Sequence, residues 1–184
     1  MKLTIAKDQL VNGLQAVQNV VSSRSTLPIL SNVLLRAENG RLELTATDLD
    51  VTVVCSVEAE VKGDGATTLP TKKFFGIVRE LNSQEIDLEV DGKEVCSLQA
   101  GSSFYKIKGL PADEFPPLPK FEEKKKINLT QEKLKGMLKK TSYAVSMDET
   151  RYVLNGILFS IKDHKITLIA TDGRRMALVD DELE

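Results

Sequence analysis

Apolar residues along the chain alternate between two rhythms. Over residues 7–21, Leu10, Leu14, Val17 and Val21 recur at three- and four-residue steps, which predicts a helix with one buried face. Short runs over 3–5, 30–37, 41–47 and 50–59 read as strands, and residues 22–28 as a loop closed by Pro28. Asn39-Gly40 supplies the positive φ of a tight hairpin between the second and third of these strands. The same order then returns, with a strand over 67–70 and a helix over 72–81 capped by Thr71, burying Phe74, Val78 and Leu81. Strands over 86–90, 94–100 and 103–108 follow, turned at Asp91-Gly92 and Gly101. Two βαβββ halves therefore make one α+β domain over residues 1–120, with two helices on one side of antiparallel sheets.

Residues 111–126 hold four prolines and a charged run, and read as a linker. Beyond it the first pattern starts again: residues 154–178 align with residues 30–54 at an offset of 124 positions, without a gap. Leu30 meets Leu154, Val33 meets Ile157, Leu34 meets Leu158, Leu42 meets Ile166, and Leu44 meets Leu168. Ala46-Thr47-Asp48 becomes Ala170-Thr171-Asp172. The same offset carries Leu3, Leu10, Leu14 and Ser22 onto Ile127, Leu134, Leu138 and Ser146, with Thr130 as the cap of a helix from 131 to about 142. This is a tandem duplication of a domain-sized unit, too long for a solenoid repeat. Residues 127–184 are expected to be the first half of a second domain, in a chain cut short. Such a half domain leaves strand edges uncovered.

Composition changes this picture little: 41% hydrophobic and 28% charged residues are ordinary for a globular protein with a core. No apolar run is long enough for a membrane span and the N-terminus lacks a signal-peptide core, so a cytoplasmic protein is expected. Cys55 and Cys96 lie in strand-like runs without metal-site spacing and read as reduced, buried thiols. His164 falls in a turn without an orienting partner or nucleophile. Asp48 with Asp50, or Asp172 near Arg174, are the candidates for a metal-dependent site. No further carboxylate or histidine joins either pair. No catalysis, cofactor or metal is expected.

Charge is unevenly placed. Lys72, Lys73 and Arg79 oppose one Glu80, and Lys133, Lys135, Lys139 and Lys140 oppose one Glu132, in a chain of net charge −2. Helices lining a hole would present a positive wall to phosphates. The plainer reading is that these lysines solvate helix surfaces.

Several segments together resemble a known family: TLPILSNVLL at 26–35, TATDLD at 45–50, TTLPTKKFFGIVREL at 67–81, GLPADEFP at 109–116, RYVLNGILF at 151–159 and ATDGRRMAL at 170–178. The chain resembles, along its whole length, the N-terminal half of the bacterial replicative DNA sliding clamp, the beta subunit of the DNA polymerase III holoenzyme. The resemblance implies the DNA-clamp fold, with a third domain absent from this chain, and a homodimeric ring around duplex DNA as processivity factor of replication. DNA contact without sequence preference would come from Arg24, Lys72, Lys73, Glu149, Arg151 and Tyr152. Glu149 departs from the amide familiar there, and Val153 from a second aromatic. A groove for short hydrophobic peptides of the replicative polymerase, the clamp loader and repair proteins would include Leu154, Thr171, Gly173, Arg174, Arg175 and Met176. Tyr105 and Ile107 would form the ring joint. Beside these stand plainer roles: Tyr152 packing at a strand edge, residues 171–173 as a simple turn, and Met176 in the core. A truncated stand-alone paralogue, binding partners without encircling DNA, is the alternative function.

Overall fold

Asn39 and Gly40, at φ 51° and 73°, close a two-residue hairpin between strands β2 (Asn32–Glu38) and β3 (Arg41–Thr47), as the sequence predicts. The computed structural model that shows this describes residues 1–21, 27–117 and 127–183. They fall into two compact units, Met1–Pro119 and Lys120–Glu184. In the first, β1 (Lys2–Ala6) leads into α1 (Lys7–Val17), and β2 and β3 are followed by β4 (Thr52–Glu58) and β5 (Glu60–Gly63). The second half runs β6 (Gly65–Pro70), α2 (Thr71–Glu80), β7 (Glu85–Val90), β8 (Val95–Ala100) and β9 (Ser103–Lys108).

The two halves exchange their first strands. β1 pairs antiparallel with β7, in a sheet ordered β5-β1-β7-β8-β9, and β6 pairs antiparallel with β2, in a sheet ordered β4-β3-β2-β6. α1 therefore begins on one sheet and delivers the chain to the other. It packs on β3, β4 and α2, and one hydrophobic core joins Leu10 and Leu14 of α1, Phe74 and Val78 of α2, and residues of both sheets such as Leu44 and Leu88. The fold is mixed α+β with antiparallel sheets and helices, as expected.

Some details differ from the sequence reading. α1 ends at Val17 and tightens into a 3-10 turn, Gln18–Val20, yet Val21 still reaches the core, which is why its spacing looked helical. β2 starts at Asn32, because Pro28–Ser31 form a 3-10 turn with proline in its first positions. Thr71 does not cap α2: Pro70 occupies that place, Thr71 is already helical, and its buried hydroxyl has no partner. β5 was missed; it is short and pairs only with β1, far away in sequence. Of the linker stretch, Phe115 is buried, and the preceding Leu110 pairs with Thr68 through two backbone hydrogen bonds, so the first part belongs to unit 1.

In unit 2, Thr130 caps α3 (Gln131–Thr141) by accepting a hydrogen bond from the Lys133 amide. β10 (Leu158–Lys162), β11 (Lys165–Thr171) and β12 (Met176–Glu182) form one antiparallel sheet, against which α3 packs through Met137, Ile166 and Leu168. The offset of 124 superposes α1 on α3, β3 on β11 and β4 on β12 end for end. Asp163 and His164, at φ 50° and 59°, replace Asn39 and Gly40 in the turn. Among the described residues no helix is long and apolar enough to cross a membrane.

Candidate functional site

The turn between β11 and β12 is held by two side chains. Thr171 Oγ1 donates to the Arg175 carbonyl at 2.7 Å and accepts from the Gly173 amide at 3.1 Å. Asp172 Oδ1 accepts from the amides of Arg174 and Arg175 at 2.9 and 3.0 Å, while its Oδ2 accepts from Arg175 Nε at 3.0 Å. The Asp172 carboxyl is drawn down to about 2, first by the Arg175 amide, then by the Arg174 amide and the Arg175 guanidinium. Gly173 stands at φ 85°, a left-handed state that favours glycine.

These bonds decide where the arginines go. The Arg175 guanidinium, turned back onto Asp172, lies 5.8 Å from the centre of the Tyr143 ring. Arg174 is exposed and has no side-chain partner among the described residues. Arg151 comes from the 3-10 segment Glu149–Leu154, where Asp148 accepts from the Thr150 amide and binds Arg151 Nε at 3.0 Å. The Thr150 hydroxyl and amide, followed by Arg151, hold the Asp148 carboxyl below its usual range. A Cβ built on Gly173 would meet Arg151 Nη1 at 3.1 Å, so the glycine leaves room for that guanidinium. Arg151, Arg174 and Arg175 line one cleft of about 330 Å³ together with Asp148, Asp172 and Met147.

Next to it, Leu154 and Thr171 line an apolar pocket of about 340 Å³ with Val153, Ile157, Leu158 and Ile169. Met176, where β12 begins, is exposed and does not enter the core. An apolar pocket bordered by cationic groups can hold a peptide with an apolar anchor and a carboxylate. The structure thus gathers Leu154, Thr171, Gly173, Arg174 and Arg175, and adds Arg151, which the sequence reading grouped with DNA contacts. Asp148 and Tyr143 were missed. An aspartate three residues before an arginine at the start of a helical turn was the available signal for Asp148.

The remaining expected residues lie elsewhere. Arg24 is outside the described residues. Lys72 and Lys73 are exposed in the first turn of α2, without an ion-pair partner among the described residues. Glu149 and Tyr152 are exposed in the 3-10 segment. On β9, Tyr105 is exposed but Ile107 is fully buried in the core of unit 1, and Phe104 is exposed instead, with Lys106 over its ring. The helix lysines also divide: Lys133 is tied to Asp181 and the Glu182 carbonyl, leaving Lys135, Lys139 and Lys140 exposed. Asp48 repeats the role of Asp172, its Oδ1 accepting from the amides of Asp50 and Val51. No group of three or more His, Cys, Asp or Glu side chains among the described residues is placed to hold a metal.

Two family models match the chain: the DNA polymerase III beta subunit N-terminal domain over residues 1–119, and its central domain over residues 128–184. The beta sliding clamp of Chlamydia trachomatis serovar D is 38% identical over 183 residues, covering 100% of this chain and 44% of that protein. That of Vibrio cholerae serotype O1 is 36% identical over 185 residues, covering 100% and 50%. Among solved structures, the DNA polymerase sliding clamp from Bacillus subtilis superposes with a TM-score of 0.94 at 31% identity, over 100% of this chain and 50% of that one. A sliding clamp from Bartonella birtlesii, solved bound to griselimycin, gives 0.90 at 41% identity, over 99% and 50%. The chain spans about half the length of the curated relatives it matches. It belongs to the family of the bacterial DNA polymerase III beta subunit, the sliding clamp, with N-terminal-domain sequence over residues 1–119 and central-domain sequence over residues 128–184.

Proposed function

We propose that this chain supplies part of a ring-shaped sliding clamp, a non-catalytic processivity factor that encircles duplex DNA in the cytoplasm and tethers the replicative polymerase and repair proteins. The exposed Lys72 and Lys73, with Lys135, Lys139 and Lys140, reach phosphates without reading bases. The exposed Tyr105 edge of β9 joins a partner subunit in the closed ring. Partner peptides dock an apolar side chain beside Leu154 and Thr171 and a carboxylate at Arg174.

The observation that supports this reading is the 171–175 turn, in which Thr171 lines the apolar pocket and Arg174, without a side-chain partner among the described residues, lines the cationic cleft. In the matching turn of unit 1 the same hydrogen bonds hold Leu49, Asp50 and Val51 in place of Gly173, Arg174 and Arg175. The backbone is thus kept while the charge is changed. A fluorescent short peptide with a leucine anchor and a nearby carboxylate tests the reading by anisotropy. Arg174→Ala removes no side-chain hydrogen bond or ion pair among the described residues and is expected to weaken binding by about tenfold. Equal affinity of the two proteins would remove Arg174 from the site.

A further inference from the structure

Arg151, at φ −112° and ψ 56°, interrupts the 3-10 segment Glu149–Leu154, so the segment's own regular geometry does not fix where its side chain goes. A residue outside the cleft does that. The Asn155 side-chain amide, with its nitrogen facing the loop, donates to the carbonyls of Ser146 at 3.1 Å, Asp148 at 3.1 Å and Arg151 at 3.3 Å. The opposite orientation would set its oxygen against three carbonyl oxygens. Asn155 lines neither the apolar pocket nor the cationic cleft.

The loop is closed at the same place by its backbone, the Ser146 amide donating to the Leu154 carbonyl at 3.0 Å. Within it, Asp148 Oδ1 accepts from the Thr150 amide and hydroxyl at 3.0 and 2.6 Å, which leaves Oδ2 to hold Arg151 Nε at 3.0 Å. The far end of that guanidinium then stands against Gly173. A chain of contacts thus runs from Asn155 through the Asp148 and Arg151 backbones to a cation in the cleft. All of it lies within residues 146–155 and the 171–175 turn.

Unit 1 shows what the loop does without an arginine to place. At the offset of 124, Asn155 falls on Ser31 and Arg151 on Leu27. The Ser31 hydroxyl reaches a single carbonyl, that of Pro28, at 2.6 Å. The two-hydrogen amide donor occurs in the copy that also has the cation.

We propose that Asn155 is a positioning residue of the peptide site: by tying three carbonyls of the 146–151 loop it fixes the Asp148–Arg151 pair, and so holds Arg151 against Gly173 as a second cation for an acidic peptide. The proposal rests on the peptide-binding reading above. Asn155 touches no peptide itself and acts through Arg151.

The test uses the full chain and two fluorescent peptides with the same leucine anchor, one with a nearby carboxylate and one with that group converted to its amide. Asn155→Ala is expected to weaken the acidic peptide about fivefold and to leave the amide peptide unchanged. In an Arg151→Ala background the same substitution is expected to have no further effect, as a purely structural role would not require. In the free chain, the Arg151 Nε–Hε order parameter is expected to fall below about 0.6 in Asn155→Ala. Unmoved amide resonances of Ile166 to Ala170 in β11 show that the variant is folded. An unchanged Arg151 order parameter would overturn the inference by itself, whatever the peptides do. Equal weakening with and without Arg151, or equal weakening of both peptides, would also overturn it. Failure of the unsubstituted chain to bind either peptide, with Arg151 still loosened by Asn155→Ala, would instead overturn the peptide reading and with it the role of Asn155 in binding.

Discussion

Leu49 and Gly173 share one backbone state, at φ 82° and 85°, in turns built from the same hydrogen bonds. Thr47 Oγ1 accepts from Leu49 as Thr171 Oγ1 does from Gly173, and Asp48 Oδ1 receives two amides as Asp172 Oδ1 does. A left-handed conformation that suits glycine is thus imposed on a leucine that is 59% exposed. The side-chain caps, rather than the residue at the apex, set this turn.

A stability difference follows. Leucine at this φ costs roughly 1 kcal/mol, while glycine gives back part of that through its freer unfolded chain. Leu49→Gly is expected to leave unit 1 as stable or to stabilise it by up to about 1 kcal/mol. Gly173→Ala is expected to cost about 1 kcal/mol and to push Arg151 aside. Chemical denaturation checks both, and a clear loss of stability in Leu49→Gly would mean that the leucine side chain packs in a way its exposure does not convey.

The turn of unit 2 also has a pH signature. The folded Asp172 carboxyl titrates at about 2, below its ordinary 3.8. A lowered folded value means that the contribution is whole above 3.8 and is lost as pH falls from there through about 2. The amide resonances of Arg174 and Arg175 should therefore hold their positions down to about pH 3 and shift below it. A midpoint near the ordinary carboxylate value would show that the two amides do not bind the carboxylate in solution.

DNA contact by α2 predicts a change in salt dependence rather than in sequence preference. Lys72→Ala and Lys73→Ala, both exposed and without an ion-pair partner among the described residues, should each reduce the slope of log affinity against log salt by about 1 and leave the fold intact. An unchanged slope in both would take this end of α2 off the DNA path.

Gly109 provides a test of how unit 1 closes. Its amide donates to the Glu94 carbonyl at 2.7 Å, and a Cβ at this position would overlap the Thr68 carbonyl oxygen. Thr68 and Leu110 exchange backbone hydrogen bonds at 3.0 and 3.2 Å just beyond it. Because the obstacle is backbone and not a flexible side chain, Gly109→Ala is expected to cost on the order of 3 kcal/mol. Gly76→Ala, which meets nothing within 4 Å, serves as the control and should be neutral or stabilising.

What the sequence alone determined is local or repeated. The spacing of Leu10, Leu14 and Val17 placed α1 with its buried face, Asn39-Gly40 placed a hairpin, Thr130 placed a cap, and the 124-residue offset predicted that α3, β11 and β12 would copy α1, β3 and β4. Each depends on neighbours a few residues apart, or on comparing one copy with the other. The tertiary structure decided what joins distant parts of the chain. It put β1 beside β7 and β6 beside β2, buried Ile107 while leaving Tyr105 out, tied Lys133 to Asp181, and brought Arg151 against Gly173. Strand partners and guanidinium positions are set by sheet order and by carboxylates arriving from other elements, and alternation along a single strand contains neither.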